Sequence, residues 1–427
     1  MRLTAVIHAS TLSLFRILFG LVFAGECWGA IFTGWVQSVF VDTPYTFTFI
    51  GFEFLEVLHG PWMHGYYALM GALGIGIALG SRYKFFVISA AFMWTAVYLA
   101  QKCHYNNHYF LMVLVLWIMS ILPADKTYTL KKNSDPFIPL WALRILQIQV
   151  AIVYFYAVIA KLNIDWLDGS TSAILLSHKA PIESLQPLFT SRWFHLFIAY
   201  MGIFYDAAII PLLLFKRTRL LAWILSILFH LTNLIVFHIG SFPFMALAFN
   251  VLFFNPERLV YFFNRKQEMT ERISLPFEMS ETLKFGLAVY VALQLALPLR
   301  HFFYPGFVYW NEEGHRMSWQ MMSRSKKGYA YFKVYYPETN KSIIVHPRDV
   351  LAPHQASDVF KYPDIIWQFS QKLKALNAGE EVEIYCISQV SLNGRPSKNI
   401  VDPTVNLANV EWSHLRHSNW ITATPKR

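Results

Sequence analysis

The sequence predicts an α-helical polytopic membrane protein of about nine transmembrane helices, with a small C-terminal β-rich extracytoplasmic domain. Three observations predict this fold class. Of the 427 residues, 55% are hydrophobic and only 15% are charged, whereas ordinary soluble domains have roughly 25% charged residues. The apolar residues form long runs before residue 300 and are sparser after it, and Lys and Arg residues lie mainly in the short loops between the runs. We therefore divide the chain into a membrane domain, residues 1–300, and a small α+β domain, residues 301–427.

Each transmembrane helix is predicted from one run of apolar residues. A hydrocarbon core of about 30 Å requires roughly 20 apolar residues, and fewer where neighbouring helices shield the segment. The second run contains several glycines between residues 71 and 80, and such a small-residue face favours the close approach of another helix. The nine candidate runs are residues 12–36, 66–80, 85–100, 109–122, 137–160, 193–215, 220–237, 242–254 and 285–299.

The loop charges predict the orientation. With a cytoplasmic N-terminus, the cytoplasmic loops carry most of the Lys and Arg residues of the membrane domain, as the positive-inside rule requires. The C-terminal domain then lies outside the cytoplasm. The opposite connections carry only Lys102, Lys161, Lys179 and Arg192.

The charge and the cysteines exclude two classes of protein. The net charge of +10 could indicate nucleic-acid binding, but the membrane topology explains the basic loops better, so we expect no nucleic-acid partner. The three cysteines, Cys27, Cys103 and Cys386, lack metal-ligand spacing and can form at most one pair. We therefore predict neither a zinc site nor a disulfide framework.

The C-terminal domain is predicted to contain strands and one helix. Residues 329–336, 342–346 and 380–390 are rich in β-branched and aromatic residues, which indicates strands. Residues 365–376 have the apolar spacing of a helix. The segment Asn393-Gly394-Arg395-Pro396 indicates a turn.

Polar residues cluster at three places that this topology brings to the non-cytoplasmic end of the helices. Convergence from distant parts of the chain is what a functional site requires. The clusters are centred on His104 and His108, on Lys161, and on His230, Asn233 and His238.

Lys161 is the strongest candidate for a catalytic residue. At the end of a buried helix, low dielectric disfavours the charged ammonium, and a neutral amine can act as a base. The alternative is an interfacial lysine that reaches the aqueous boundary and has no chemical role. Two carboxyl groups, Glu26 and Asp206, lie deeper in their runs and must be paired or protonated.

The histidines allow more than one interpretation. His104 and His108 have the spacing that presents two imidazoles to a metal from one helix face, but a di-iron oxidase would need further histidine boxes. We therefore prefer His108 as a hydrogen-bonding or acid–base residue, with an interfacial polar residue as the alternative. His104 is expected one turn nearer the aqueous loop, where water can replace its contacts. For His230 and Asn233, the alternative is an interhelical hydrogen bond.

Four ordered segments resemble a known family. They are Asn106-Asn107-His108, then Ala160-Lys161-Leu162-Asn163-Ile164-Asp165-Trp166, then the hairpin at residues 229–243, and finally residues 300–306 with Ser318-Trp319-Gln320-Met321-Met322. Together they are similar to the vitamin K-dependent γ-glutamyl carboxylases and their bacterial HTTM (horizontally transferred transmembrane) relatives. The resemblance covers most of residues 10–330, with a weaker similarity at residues 390–395.

The resemblance implies an activity. In that family, a lysine at the Lys161 position starts the oxidation of vitamin K hydroquinone by O2 to the epoxide. The reaction generates a base strong enough to remove a γ-proton from a glutamyl residue, to which CO2 adds. The implied cofactor is reduced vitamin K, a menaquinol-type hydroquinone, with O2 and CO2 as co-substrates and no metal. The implied partners are membrane lipid and quinol, and a glutamate-containing secreted protein or peptide.

The resemblance also implies residue roles. Lys161 and His108 are the expected catalytic residues, with His108 stabilising charge beside the quinol oxygens. The expected cofactor-binding residues are Tyr105, Asn106, Asn107, His230, Asn233, Met321 and Met322. The expected residues for the glutamyl substrate are Trp310, Trp319, Arg324 and Lys326, the last two standing where the animal enzymes carry a histidine and an arginine.

Two other functions remain open at this point. The C-terminal domain is much smaller than the family's propeptide-binding lumenal domain, which would suit a quinol epoxidase with no carboxylation substrate or a different one. A non-enzymatic transporter or export partner is the third hypothesis, because intramembrane carboxyl groups such as Glu26 and Asp206 would suit a relay.

Overall fold

The computed structural model describes residues 5–130, 135–177, 179–237, 239–256 and 279–425. His238 of the third polar cluster lies outside these ranges. Within them the chain forms a helical membrane domain followed by a domain built on a four-stranded sheet.

The membrane domain consists of helices joined by short connections. Its principal helices are α1 (Ser10–Phe32), α2 (Met63–Leu79), α3 (Tyr83–Ala100), α4 (Asn107–Ile121), α5 (Trp141–Lys161), α6 (Ile164–Leu167), α7 (Ser170–Leu176), α8 (Gln186–Phe189), α9 (Arg192–Leu214), α10 (Arg219–Thr232), α11 (Phe242–Asn250) and α12 (Glu281–Ala296). Two short strands, β1 (Val6–His8) and β2 (Phe137–Pro139), pair antiparallel. Single turns of 3₁₀ or π-helix are Gln37–Val41, Glu53–Val57, Lys102–His104, Glu183–Leu185, Asn233–Phe237, Val251–Phe253 and Leu297–Phe303.

Each of the nine predicted apolar runs contains an apolar helix. Six of the described helices are long and apolar enough to cross a membrane: Ser10–Phe32, Tyr83–Ala100, Trp141–Lys161, Arg192–Leu214, Arg219–Phe237 and Glu281–Phe303. The other three, Met63–Leu79, Asn107–Ile121 and Phe242–Phe253, are shorter. Nine spans and the cytoplasmic N-terminus therefore stay predictions.

The predicted glycine face of α2 is where α1 packs. A Cβ atom built on Gly74 would lie 2.8 Å from the carbonyl oxygen of Gly20 and the backbone nitrogen of Ala24. A Cβ on Gly20 would lie 2.7 Å from the carbonyl oxygen of Gly74. Because no side chain fits between the two backbones, the small residues allow this close helix contact.

The C-terminal domain forms the antiparallel sheet β4-β3-β5-β6, with helices packed against it. Its strands are β3 (Lys326–Tyr336), β4 (Lys341–Val345), β5 (Glu383–Leu392) and β6 (Lys398–Asn399). Its helices are α13 (Val308–Asn311), α14 (Pro347–Val350), α15 (Pro353–Val359) and α16 (Pro363–Leu376), with a 3₁₀ turn at Leu407–Asn409. The three predicted strands and the predicted helix are thus confirmed.

The core of this domain follows from strand alternation. Alternate residues of β5 are buried, as expected for a strand with one face on the core. They pack against α16, whose buried residues include Ile365, Ile366 and Phe369. Phe47 from the membrane domain joins the same apolar cluster, so the two domains share part of one core.

A buried ion pair also joins the two domains. Arg395, in the turn after β5, donates to both carboxylate oxygens of Asp165 at 2.6 and 2.9 Å. Asn393 in the same turn donates to Asp165 at 2.9 Å. The Asp165 side chain is fully buried in α6, four residues after Lys161. The predicted turn of the C-terminal domain therefore binds the membrane domain close to Lys161.

We predict that Arg395→Ala destabilises the folded protein by about 3–5 kcal/mol, because it leaves the buried Asp165 carboxylate without its guanidinium. The matched control is Lys372→Ala, which removes an interdomain ion pair to Glu56 that is about one-third exposed on both sides and should cost about 0–1 kcal/mol. Thermal unfolding of the two variants in detergent measures the difference. Equal losses of stability would contradict the importance assigned to the buried pair.

Candidate functional site

A cavity of about 350 Å³ lies where the membrane helices meet the C-terminal domain. Its walls inside the helix bundle are mainly apolar and come from α4, α5, α7, α9, α10 and α11. At the other end it is bounded by residues 315–324 and Tyr362 of the C-terminal domain. An apolar pocket with a few convergent polar groups is the usual form of a small-molecule site.

Lys161 is the last residue of α5 and lies in the cavity wall. Its side chain is 11% exposed, and its Nζ donates to Asp206 Oδ2 of α9. The Trp166 ring lies over the ammonium, with its centroid 5.4 Å from Nζ. Buried charges require such partners because their desolvation is costly.

Local structure holds these groups in place. Asn163 caps α6 by accepting from the Trp166 backbone N–H at 3.2 Å, and its amide donates to the Ala160 carbonyl at 2.8 Å. The Trp166 indole N–H donates to the Ala199 carbonyl of α9 at 2.9 Å. A Cβ atom built on Gly202, one turn before Asp206, would lie 3.6 Å from the indole and 3.9 Å from Lys161 Cε. The chain reverses after α5 so that Trp166 returns over Lys161.

The Asn-Asn-His motif forms the start of α4 at the cavity. Asn106 is the N-cap and accepts from the Tyr109 backbone N–H at 2.8 Å. Asn107 accepts from the Tyr105 hydroxyl at 2.9 Å and donates to the Gln320 carbonyl at 3.1 Å. His108 lines the cavity, and its ring packs on Tyr109 with centroids 4.8 Å apart. The first two residues thus position the motif, and His108 is presented to the cavity.

His230 lies at the centre of a buried hydroxyl network. Its Nε2 is 3.2 Å from the Tyr205 hydroxyl and 3.4 Å from that of Tyr154. The Tyr205 hydroxyl also donates to Ser226, which accepts from the Asn250 amide at 2.6 Å. His230 Nδ1 has no hydrogen-bond partner among the described residues. The interhelical hydrogen bond considered for His230 is therefore present, together with one unused nitrogen.

Four cations, together called the cationic rim, lie at the end of the cavity next to the C-terminal domain. Lys102, Arg316 and Arg324 line the cavity, and Lys326 does not line it but shares Glu312 with Arg324. Asp364 binds both Lys102 at 2.7 Å and Arg316 at 2.6 Å. Burial opposes ionisation of Asp364, but Arg316 and Lys102 hold the pKa of this carboxyl well below its usual range. Burial lowers the pKa of Lys102 to about 8.

Glu312 serves the other half of the cationic rim. It binds Arg324 at 2.6 Å and Lys326 at 2.8 Å, and burial lowers the pKa of Lys326 to about 8. Each carboxylate therefore faces two cations, and each group of three keeps one positive charge when all its members are ionised. Burial, Arg324 and Arg316 lower the pKa of the neighbouring His315, so its imidazole is neutral at physiological pH.

Most of the residues expected from the sequence line this one cavity. They are Lys161, His108, Tyr105, Asn106, Asn107, His230, Asn233, Met321, Met322, Trp319 and Arg324. Two expected substrate-binding residues do not line it. The Trp310 indole donates to the Thr422 carbonyl in the core of the C-terminal domain, and Lys326 donates to the carbonyls of Trp310 and Lys361. Their side chains are used in holding that domain together.

His104 differs from its expected setting. It was expected near the aqueous loop, but it is largely buried, with its ring 4.6 Å from that of His354 and 5.2 Å from Trp35. The reason is that α15 of the C-terminal domain covers this loop. His104 lines a separate small cavity and not the one that holds His108. Within the described residues, no group of three or more His, Cys, Asp or Glu side chains could hold a metal ion.

Several lining residues carried no sequence signal for this site. Asp206 stood out only as a buried carboxyl, and its partner could not be named because 45 residues separate it from Lys161. Ser172 lines the cavity from α7, and its hydroxyl has no partner among the described residues. Arg316 and Tyr362 line the cavity from the C-terminal domain, and Lys102 of the membrane domain is paired with Asp364 of the C-terminal domain.

Comparison with known families covers both parts of the chain. The HTTM domain model matches residues 5–257, which is more than half of the 427 residues. The lumenal domain of vitamin K-dependent gamma-carboxylase matches residues 279–427. No solved structure matches the chain. These matches confirm the resemblance found in the sequence, and together with the apolar helices they identify the chain as a multi-pass membrane protein of the vitamin K-dependent γ-carboxylase family with an HTTM domain.

Proposed function

We propose that the protein couples the oxygenation of a reduced vitamin K-type quinone, from hydroquinone to epoxide, to the carboxylation of glutamyl residues. The observation that carries the proposal is Lys161 Nζ, buried against Asp206 and Trp166 at the edge of an otherwise apolar cavity. The family's general activity and its membrane setting support it. We further propose that the C-terminal domain lies outside the cytoplasm, with the N-terminus inside.

The cavity suits a hydroquinone. Its apolar walls match an aromatic ring with a lipid-soluble tail, and its polar end offers groups that still lack partners. His230 Nδ1, Ser172 Oγ and Trp319 Nε1 are buried lining groups without hydrogen-bond partners among the described residues. Buried polar atoms are seldom left unsatisfied, so ligand hydroxyls that both donate and accept would complete them. The residues that would hold the ring are His108, Asn107, His230 and Asn233, with Met321 and Met322 beside it.

When bound, the hydroquinone supplies, with O2, the base that abstracts the γ-proton of a glutamyl residue, and it leaves as the epoxide. Lys161 has to be neutral to accept the hydroxyl proton that starts this sequence. A proton moved along the Lys161–Asp206 hydrogen bond gives an uncharged amine and an uncharged acid, and a low-dielectric setting favours uncharged groups. Nζ then accepts the proton, and the resulting ammonium remains beneath the Trp166 ring.

The other residues have supporting roles. His108 supplies a hydrogen-bonding group at the start of α4, where backbone N–H groups also favour negative charge on a ligand oxygen. Residues 315–324 cover the cavity and restrict water, which protects a strong base from being quenched. The positive charge retained by the cationic rim suits the carboxylate of a glutamyl side chain, with Arg324 as its nearest candidate contact.

The test uses purified protein in detergent with reduced vitamin K, labelled bicarbonate and a glutamyl peptide. Formation of epoxide together with labelled peptide is the expected result. Epoxide without label would identify a quinol epoxidase with no carboxylation substrate or a different one. If neither epoxide nor labelled peptide forms, a transporter or export partner is the better interpretation.

We predict that Lys161→Ala and Lys161→Arg both abolish epoxide formation, with losses of about 10²- to 10⁴-fold expected from removing a general base. Arginine keeps the charge but does not deprotonate at accessible pH. Small exogenous amines should partly rescue the alanine variant and not the arginine variant, because only alanine leaves space. The rescue should increase with pH as the fraction of free amine increases.

The control for this prediction is Lys84→Ala at the far end of α3, whose ammonium donates to the Ser120 and Leu122 carbonyls outside the cavity. This variant should retain epoxide formation. Wild-type activity in a folded Lys161→Arg protein would contradict the proposed base. The proton acceptor would then have to be His108 or His230.

We predict that His108→Ala and Asn107→Ala weaken hydroquinone binding more than His104→Ala does. His108 lines the cavity and Asn107 holds the motif to residues 317–322, whereas His104 packs against His354 in a separate small cavity. Anaerobic binding of the hydroquinone to each purified variant measures the effect. Equal losses for His104→Ala and His108→Ala would revive the interpretation of the two histidines as a metal pair.

A further inference from the structure

A second cavity of about 810 Å³ lies between α1, α10 and α11. Its rim includes Leu21, Trp223 and Phe244, each more than one-third exposed. Because these helices are membrane spans or pack among them, the exposed rim faces lipid. We call this cavity the lateral groove.

The lateral groove contains a carboxyl group with spare hydrogen-bonding capacity. Glu26 of α1 accepts from the Tyr109 hydroxyl at 2.5 Å through Oε1. Among the described residues, the Tyr109 hydroxyl is its hydrogen-bond partner and leaves Oε2 available to a ligand. Ser241, which also lines the lateral groove, has a buried hydroxyl without a partner in the described part of the chain. A carboxyl on a lipid-facing surface is costly and usually marks a ligand or ion path.

The lateral groove lies directly beside the candidate site. The two faces of α11 separate them: Phe242, Ala246 and Phe249 line the first cavity, whereas Phe244 and Leu247 line the lateral groove. At the start of α4, His108 lines the first cavity and Tyr109, its neighbour, lines the lateral groove. The first cavity and the lateral groove are therefore separated by α11 and, in α4, by the step from His108 to Tyr109.

We propose that the lateral groove is a second binding site for a membrane-dissolved isoprenoid hydroquinone, whose hydroxyl donates to Glu26 Oε2 while its tail lies along the apolar faces of α1 and α10. This inference rests on the proposed function. The reduced ring carries two O–H donors, whereas the quinone and the epoxide carry only oxygen acceptors. Glu26 Oε2 can accept a hydrogen bond from one of these O–H groups, and the quinone and the epoxide have no such donor.

The polar groups decide between this ligand and an ordinary lipid chain. An acyl chain would fill the apolar walls but would offer no donor to Glu26. A hydroquinone satisfies both parts of the lateral groove, and it reaches a lipid-facing opening from the phase in which it is dissolved. The groove thereby holds the reduced form next to the site that uses it.

The test is anaerobic equilibrium binding to the full purified chain in lipid nanodiscs. The probe is a labelled naphthohydroquinone with an isoprenoid tail, and the measured quantity is the number bound per chain. Wild-type protein should bind two. Glu26→Gln should weaken one of the two sites by about tenfold, as expected for losing one hydrogen bond.

A second variant blocks the lateral groove by volume. Gly29 lines the lateral groove, and a Cβ atom on it meets nothing within 4 Å. Gly29→Leu therefore adds a side chain to the lateral groove, and leucine is the better helix former. It should bind one hydroquinone. The matched control is Gly65→Leu on α2, where a Cβ also meets nothing within 4 Å but which lies outside the lateral groove. Glu53→Gln is the control for charge, and thermal unfolding checks that all variants are folded.

The outcomes separate this inference from the proposed function. Two bound hydroquinones in wild type, reduced to one by Gly29→Leu and not by Gly65→Leu, support the lateral groove. The inference is overturned if the wild-type chain binds one hydroquinone, or if it binds two and neither Gly29→Leu nor Glu26→Gln changes that number. Either result leaves the proposed function intact. If the wild-type chain binds no hydroquinone, that result contradicts the proposed function as well. Binding of the epoxide at both sites overturns the selectivity for the reduced form.

Discussion

The cost of keeping a lysine ammonium out of water governs the arrangement around α5. Lys161 ends the helix inside the protein, and the fold compensates with Asp206 from α9 and the ring of Trp166. The helix end needs partners of its own, since its last carbonyls have no intrahelical donors. The Ala160 carbonyl accepts from Asn163 and from the Tyr309 hydroxyl of the C-terminal domain. One end of one helix thus determines the course of α6 and part of the domain interface.

Charge pairing at the interface follows the same physics with a different result. Asp364 and Glu312 are each shared by two cations, so the interface is held together and yet keeps a positive potential at the cavity. A one-to-one pairing would have the same cohesion and no net attraction for an anion. Asp165, in contrast, receives a bidentate guanidinium and does not line the cavity. At the domain interface, the Asp165–Arg395 pair therefore fixes the position of the two domains, whereas the cationic rim creates a positive electrostatic potential.

Much of this arrangement was predictable from the sequence. The apolar runs predicted the helices, β-branched and aromatic residues predicted β3, β4 and β5, and the order of motifs predicted which residues of the chain meet at the cavity. What could not be predicted depends on pairing across long separations. Asp206 as the partner of Lys161 and Asp165 as the partner of Arg395 leave no local pattern, because a carboxylate in a helix has the same sequence signal whatever it faces. The docking of the C-terminal domain likewise decides the surroundings of three other residues. His104 packs against His354 of that domain, and the side chains of Trp310 and Lys326 do not line the cavity.

The separation between Asp165 and Arg395 has a consequence for biosynthesis. The two residues are 230 positions apart, so a ribosome makes the end of α5 and all of α6 long before it makes the guanidinium that secures them. The nascent membrane domain accordingly exists for a time with Lys161 in place and without the domain that covers the end of α5. Only when the turn after β5 docks does Asp165 receive its guanidinium, so the final stability of the membrane domain depends on the synthesis of the C-terminal domain.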